Sequence, residues 1–136
     1  MLPPEELTSA IRTVLANTAG VRFAMLFGSI ARGTATQDSD VDLAVDAKHD
    51  VDLPKLAADL SLALGREVDL VALRTAGVPL LGELIRDGVV VFEGVRHAAS
   101  TWRARTLSDL EVDGPWYARM RDAWLSRVRE KGFSRG

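Results

Sequence analysis

The hydrophobic patterning of the chain predicts a single sheet domain of the α/β or α+β class with a helical C-terminal tail. Three observations carry that prediction. Short apolar runs of strand length alternate with segments whose apolar residues recur every three or four positions. Beyond Gly94 the strand pattern stops and helical spacing takes over. Finally, 136 residues suffice for one ordinary domain and are too few for two substantial ones.

Taken in order, residues 5–18 read as a helix, with Leu7, Ile11, Val14, Leu15 and Thr18 on one face. Pro4, Glu5 and Glu6 suit its first turn, where a missing N–H does no harm and negative charge meets the positive end of the helix dipole. Gly20 is a natural stop. Val21 to Phe27 is an apolar run, expected as a buried strand, and it ends abruptly in Gly28-Ser29. Ile30 to Thr34 predicts one helical turn before the polar stretch Ala35 to Ser39, and Val41 to Asp46 reads as a second strand. Asp52 is an expected N-cap for a helix over 53–64, with Leu53, Leu56, Ala57, Leu60 and Leu64 facing inward and Gly65 closing it. A third strand is expected over Glu67 to Leu73, a short helix over Val78 to Arg86 ended by Gly88, and a fourth strand over Val89 to Phe92. In the tail, Tyr117, Met120, Trp124 and Val128 form an apolar stripe with arginines between them, and Gly114-Pro115 divides two helical pieces. The expected organisation is a sheet domain over 1–94 and a helical extension of the same domain over 95–136.

Composition narrows the class. With 47% hydrophobic and 26% charged residues a packed core is expected, and the absence of cysteine excludes disulfides and thiolate metal sites. The N-terminus lacks the basic start and apolar core of a signal peptide, and no uncharged apolar run approaches the ~20 residues that span a bilayer. A soluble, cytoplasmic protein without a membrane partner is therefore expected. Net charge is −2, unevenly spread: residues 1–94 hold 8 Lys+Arg against 14 Asp+Glu, and residues 95–136 hold 9 against 5. The basic tail suits nucleic acid, an acidic partner or simply a solvated helix surface, and the last is the preferred expectation.

Three features carry chemistry. Asp40 and Asp42 lie two apart at the start of a strand, so both carboxylates leave the same face while Val41 and Leu43 point into a core. Carboxylates that close repel each other unless a cation or proton intervenes, and oxygen-only donors suit Mg²⁺. The plainer alternative is a polar turn followed by an exposed strand acid. Gly28-Ser29, at a strand-to-helix junction, exposes backbone N–H groups and a hydroxyl to an anion, although such junctions are also common as mere turns. Asp69 interrupts an apolar strand, with Val68 and Leu70 on one side of the sheet and Glu67, Asp69 and Val71 on the other. It is an edge acid facing water, or, if its strand lies beside that of Asp42, the third member of a carboxylate cluster.

Together, Gly28-Ser29, ten intervening residues and Asp40-Val41-Asp42 read as G-S-x10-D-x-D, accompanied by Arg32-Gly33 and a later strand aspartate. This stretch resembles the signature of the polymerase-beta-like nucleotidyltransferase superfamily, and within it the chain is most similar to the minimal nucleotidyltransferases, including the adenylyltransferase antitoxins paired with HEPN toxins. The resemblance covers about residues 1–94. It implies a small mixed β-sheet flanked by helices, two Mg²⁺ ions and ATP as substrate. It implies Asp40, Asp42 and Asp69 as metal ligands and catalytic residues, with Asp69 also drawing the proton from the attacking hydroxyl. Gly28, Ser29 and Arg32 are implied as nucleotide-binding residues. Walker-type and kinase-type glycine loops are absent, so other phosphate chemistries lack their parts.

His49 and His97 lack nucleophile partners and are expected at the surface, while Trp102, Trp116 and Trp124 are expected to bury against the sheet or a partner rather than stack on bases. The resemblance implies transfer of AMP to a hydroxyl, expected to be a tyrosine, on a cognate HEPN toxin partner, with nucleic acid not expected as a direct ligand. Two alternatives stand beside it. One is nucleotide transfer to a small molecule such as an aminoglycoside, although such enzymes usually carry a larger acceptor domain. The other is an antitoxin that neutralises its partner by binding alone.

Overall fold

Side-chain alternation along the central strand β1 (Val21–Phe27) divides the protein between two cores. Ala24 and Leu26 enter one, and Phe23, Met25 and Phe27 enter the other. A strand buried on both faces reads as a continuous apolar run, which is how Val21 to Phe27 appears in the sequence. The computed structural model describes residues 4–111 together with Arg119, Asp122 and Ala123.

The sheet has four strands in the order β3-β2-β1-β4. β2 (Val41–Ala47) and β4 (Val89–Glu93) flank β1 and run antiparallel to it, and β3 (Val68–Ala72) runs parallel to β2 at the edge. The sheet is therefore mixed. Parallel neighbours need a crossover, and α3 (Leu53–Leu64) supplies the one between β2 and β3. On one face, α1 (Glu5–Ala16) and α3 bury Leu7, Ile11, Leu15, Leu56 and Leu60 against Leu26, Leu43 and Val45. On the other face, Leu84 of α4 (Val78–Asp87) and Ala99 of α5 (Ala98–Glu111) pack against Phe23, Met25 and Ala44. Trp102 packs there as well, its ring 5.9 Å from that of Phe23 and tilted by 50°, so this tryptophan buries against the sheet as expected. A register shift between Val21 and Phe23 turns Val21 back to the α1/α3 side.

Local signals act where the sequence puts them. The Asp52 carboxylate accepts the Lys55 backbone N–H at 3.1 Å, capping α3, and Gly65 ends that helix at φ +64°. Several boundaries move by one or two residues, and two of the differences have a clear local cause. The helical turn α2 covers Gly28–Arg32 instead of 30–34, because Gly33 takes a left-handed conformation and its N–H returns to the Ile30 carbonyl at 3.2 Å. Leu73 does not extend β3 but begins a 3₁₀ turn over Leu73–Thr75 that tucks its side chain into the second core. The expected stripe of Tyr117, Met120, Trp124 and Val128, the Gly114-Pro115 break and Trp116 lie outside the described residues. Among the described residues no helix is long and apolar enough to cross a membrane.

Leu43 is fully buried between α1, α3 and β2's neighbours. Leu43→Ala is expected to lower unfolding free energy by about 2–5 kcal/mol in a urea titration. An unchanged midpoint would contradict the placement of β2 beneath those helices.

Candidate active site

Backbone register assembles the site. In the antiparallel pair β1/β2, Phe27 lies opposite Asp42; in the parallel pair β2/β3, Asp42 lies opposite Asp69. Both carboxylates leave the sheet on the α4/α5 side, sharing that face with Ala44 and Val71, while Leu43, Val68 and Leu70 pack into the α1/α3 core. The structure thus brings Asp69 beside Asp42, as the sequence allowed. Asp69 is also an exposed acid on an edge strand. Asp40 stands exposed immediately before β2, and Asp42 is half-buried.

Proximity has an electrostatic consequence. Burial, followed by the charges of Asp69, Asp40 and Glu83, pushes the Asp42 carboxyl above the ordinary carboxylate range, and the Arg32 guanidinium opposes the shift. Among the described residues, no three acids or histidines form a ready-made metal cage. What the sheet supplies is two carboxylates in register, with a third two residues up the chain. These are hard oxygen donors whose mutual repulsion a divalent cation would relieve, so their chemistry fits Mg²⁺.

Gly28 closes the corner between β1 and α2. Its φ of +72° favours glycine, and a Cβ there would overlap the Oδ2 atom of Asp42. The Ser29 carbonyl accepts the Thr34 N–H at 2.9 Å, which holds the turn closed behind the glycine. Arg32, on the same turn, lies within electrostatic reach of Asp42. Gly28, Arg32, Asp40, Asp42 and Asp69 are therefore gathered at one end of the sheet, with Ser29 next in the chain. His49 and His97 are exposed, as expected, and neither belongs to this group.

Two further side chains belong to this region, and no motif in the sequence marks them. Glu83 of α4 accepts the Gly28 N–H at 3.3 Å and pairs with Arg32 Nη1 at 3.4 Å through the same oxygen, Oε2. Arg66 donates to the Ser39 carbonyl from Nε at 3.1 Å and Nη2 at 2.7 Å, and to the Thr36 carbonyl from Nη2 at 2.8 Å. With the Val41 N–H bonded to the Glu67 carbonyl at 2.9 Å, Arg66 ties down the loop that delivers Asp40. Glu83 lies 55 residues from Gly28 and Arg66 lies 27 from Ser39. Only tertiary packing reveals either partnership.

Known proteins share the domain that carries this corner. Residues 9–96 match the domain described as Polymerase beta, Nucleotidyltransferase. The protein adenylyltransferase MntA of Shewanella oneidensis is 31% identical over 101 residues, covering 72% of each chain. The protein adenylyltransferase MntA of Thermococcus cleftensis is 36% identical over 90 residues, covering 64% of this chain and 91% of its own. A crystal structure of a toxin–antitoxin with AMP-PNP contains a chain superposing with a TM-score of 0.67 at 28% identity, covering 85% of this chain and 97% of that one. The MNT antitoxin complex with tri-AMPylated Shewanella oneidensis HEPN toxin gives a TM-score of 0.60 at 25% identity, covering 87% of this chain and 95% of that one. The chain belongs to the polymerase-beta nucleotidyltransferase family, and every residue of the acidic corner falls inside the matched segment.

Proposed function

We propose that this protein is an antitoxin that transfers AMP from ATP to a hydroxyl, expected to be a tyrosine, on a HEPN toxin partner. The observation that carries the reading is the register of Asp42 against Asp69 at the point where Gly28 admits the Asp42 carboxylate. The adenylyltransferase relatives and the toxin–antitoxin complexes support the choice of nucleotide and partner.

In this reading Asp40, Asp42 and Asp69 hold Mg²⁺, which when bound neutralises triphosphate charge and lowers the charge barrier to transfer. Gly28 and Ser29 present the turn to the phosphates, and Arg32 adds positive charge beside them. The acceptor oxygen bonds to the α-phosphorus of ATP, the bond from that phosphorus to the bridging oxygen breaks, and pyrophosphate leaves. Asp69, exposed at the sheet edge, receives the proton of the hydroxyl. Placement of that acid at a sheet edge suits an acceptor carried on another protein, since among the described residues no strand continues the sheet beyond β3.

Labelled ATP, Mg²⁺ and the purified toxin test the proposal. Wild type should label the toxin, and Asp42→Ala and Asp69→Asn should reduce the rate by roughly 100-fold or more while complex formation survives. Equal labelling by wild type and variants, or none by either, overturns it. Full neutralisation by an Asp42→Ala protein would instead favour an antitoxin that works by binding alone.

The raised Asp42 pKa gives a second expectation. Protonation removes the metal-holding form, so Mg²⁺ binding by the free protein should weaken on the acid side at a higher pH than a carboxylate near 3.8 would allow. The folded state also holds this proton more tightly than the unfolded chain, so Asp42 destabilises the fold once pH rises above its raised pKa, and the penalty fades as pH falls through it. Asp42→Asn should therefore raise Tm at neutral pH without divalent cations, and raise it less at acid pH. A lower Tm at neutral pH would contradict the electrostatic assignment.

A further inference from the structure

We propose that Glu83 occupies the phosphate corner of the site and must leave it before a nucleotide binds, so that this residue sets nucleotide affinity. The inference rests on the nucleotidyltransfer reading given above. One oxygen of Glu83, Oε2, accepts both the Gly28 N–H at 3.3 Å and the Arg32 Nη1 at 3.4 Å. These are two of the groups assigned to the nucleotide phosphates, and a carboxylate oxygen bridging an amide and a guanidinium takes the place a phosphate oxygen would take.

Several features separate this contact from an ordinary structural ion pair. Both distances lie at the long end of hydrogen bonding, and the two side chains remain 39% and 28% exposed, so the pair contributes little to the fold. Glu83 also adds a third negative charge around Asp42, where Asp40 and Asp69 already crowd it. The backbone of α4 is anchored by buried Leu84 and Gly82 on either side of Glu83. Release is therefore a side-chain rotation rather than a helix movement. A site whose donors are engaged part of the time binds its ligand more weakly by that fraction, and a neutral side chain at position 83 removes the competition.

Calorimetric titration tests this with two probes: AMP-PNP with Mg²⁺, and inorganic tripolyphosphate without metal. Glu83→Gln keeps the shape and loses the charge, and it should bind both anions about tenfold more tightly than wild type. Glu67→Gln removes an exposed acid close to Asp69 and reports the bare effect of one charge fewer, expected at about twofold or less. In an Arg32→Gln chain, Glu83→Gln should give no more than the control's gain. Equal gains at positions 83 and 67, weaker binding by Glu83→Gln, or no binding of either anion by any of these proteins would overturn the proposal. A gain for tripolyphosphate with no AMP-PNP binding would sustain the role of Glu83 and remove the nucleotidyltransfer reading instead.

Discussion

Asp42 lies opposite Asp69 on one neighbouring strand and against Gly28 at the end of the other, and the rest of the structure makes that crowding tolerable. Three acids at one end of a small sheet repel each other, and burial adds to the penalty on Asp42. No isolated β2–β3 pair would keep such a register. A slip by one residue would move Leu43 and Val45 to the α4/α5 side and carry Asp42 and Asp46 into the α1/α3 core, so the large apolar residues of β2 fix where the acids stand. Hydrophobic burial thus holds in place an electrostatic arrangement that is unfavourable on its own.

The two cores divide that work. The α1/α3 face is the more continuous and secures β2 and β3 from below through Leu43, Val45 and Val68. On the α4/α5 face the packing runs from Phe23 and Ala99 to Leu84 and Phe27, and beyond it the strand ends carry the acids and the Gly28 turn. α4 belongs to both descriptions: Leu84 anchors it in the core, while Glu83, one residue earlier, reaches the turn. Helix packing therefore determines which groups meet the Gly28 N–H and Arg32.

Elements governed by local rules were legible in the sequence. β1 announced itself as an unbroken apolar run between Gly20 and Gly28, and α3 by the Asp52 cap and the Gly65 stop. Asp69 was legible only conditionally, because strand alternation gives its face but not its neighbour. The parallel pairing that places it against Asp42 is a property of topology. The start of α2 at Gly28 carries no propensity signal, because its surroundings are the distant Asp42 and Glu83 side chains, whereas Gly33 sets only the end of the turn. Glu83 lies 55 residues from Gly28 and Arg66 lies 27 from Ser39, and nothing at such separations marks a helix acid or a post-helix arginine as a partner. Residue types and spacing pointed to the chemistry, while the supporting contacts emerged only from the fold.

Asp40, Asp42 and Asp69 are proposed to hold divalent cations jointly. Paramagnetic broadening of backbone amide signals by Mn²⁺ tests that directly, because the effect falls steeply with distance from the ion. The expected result is broadening centred on residues 40–42 and 68–70 together with Gly28, relieved by excess Mg²⁺ and lost in Asp42→Asn. Broadening confined to one of the two strands, centred elsewhere on the protein, or unchanged in Asp42→Asn would contradict it.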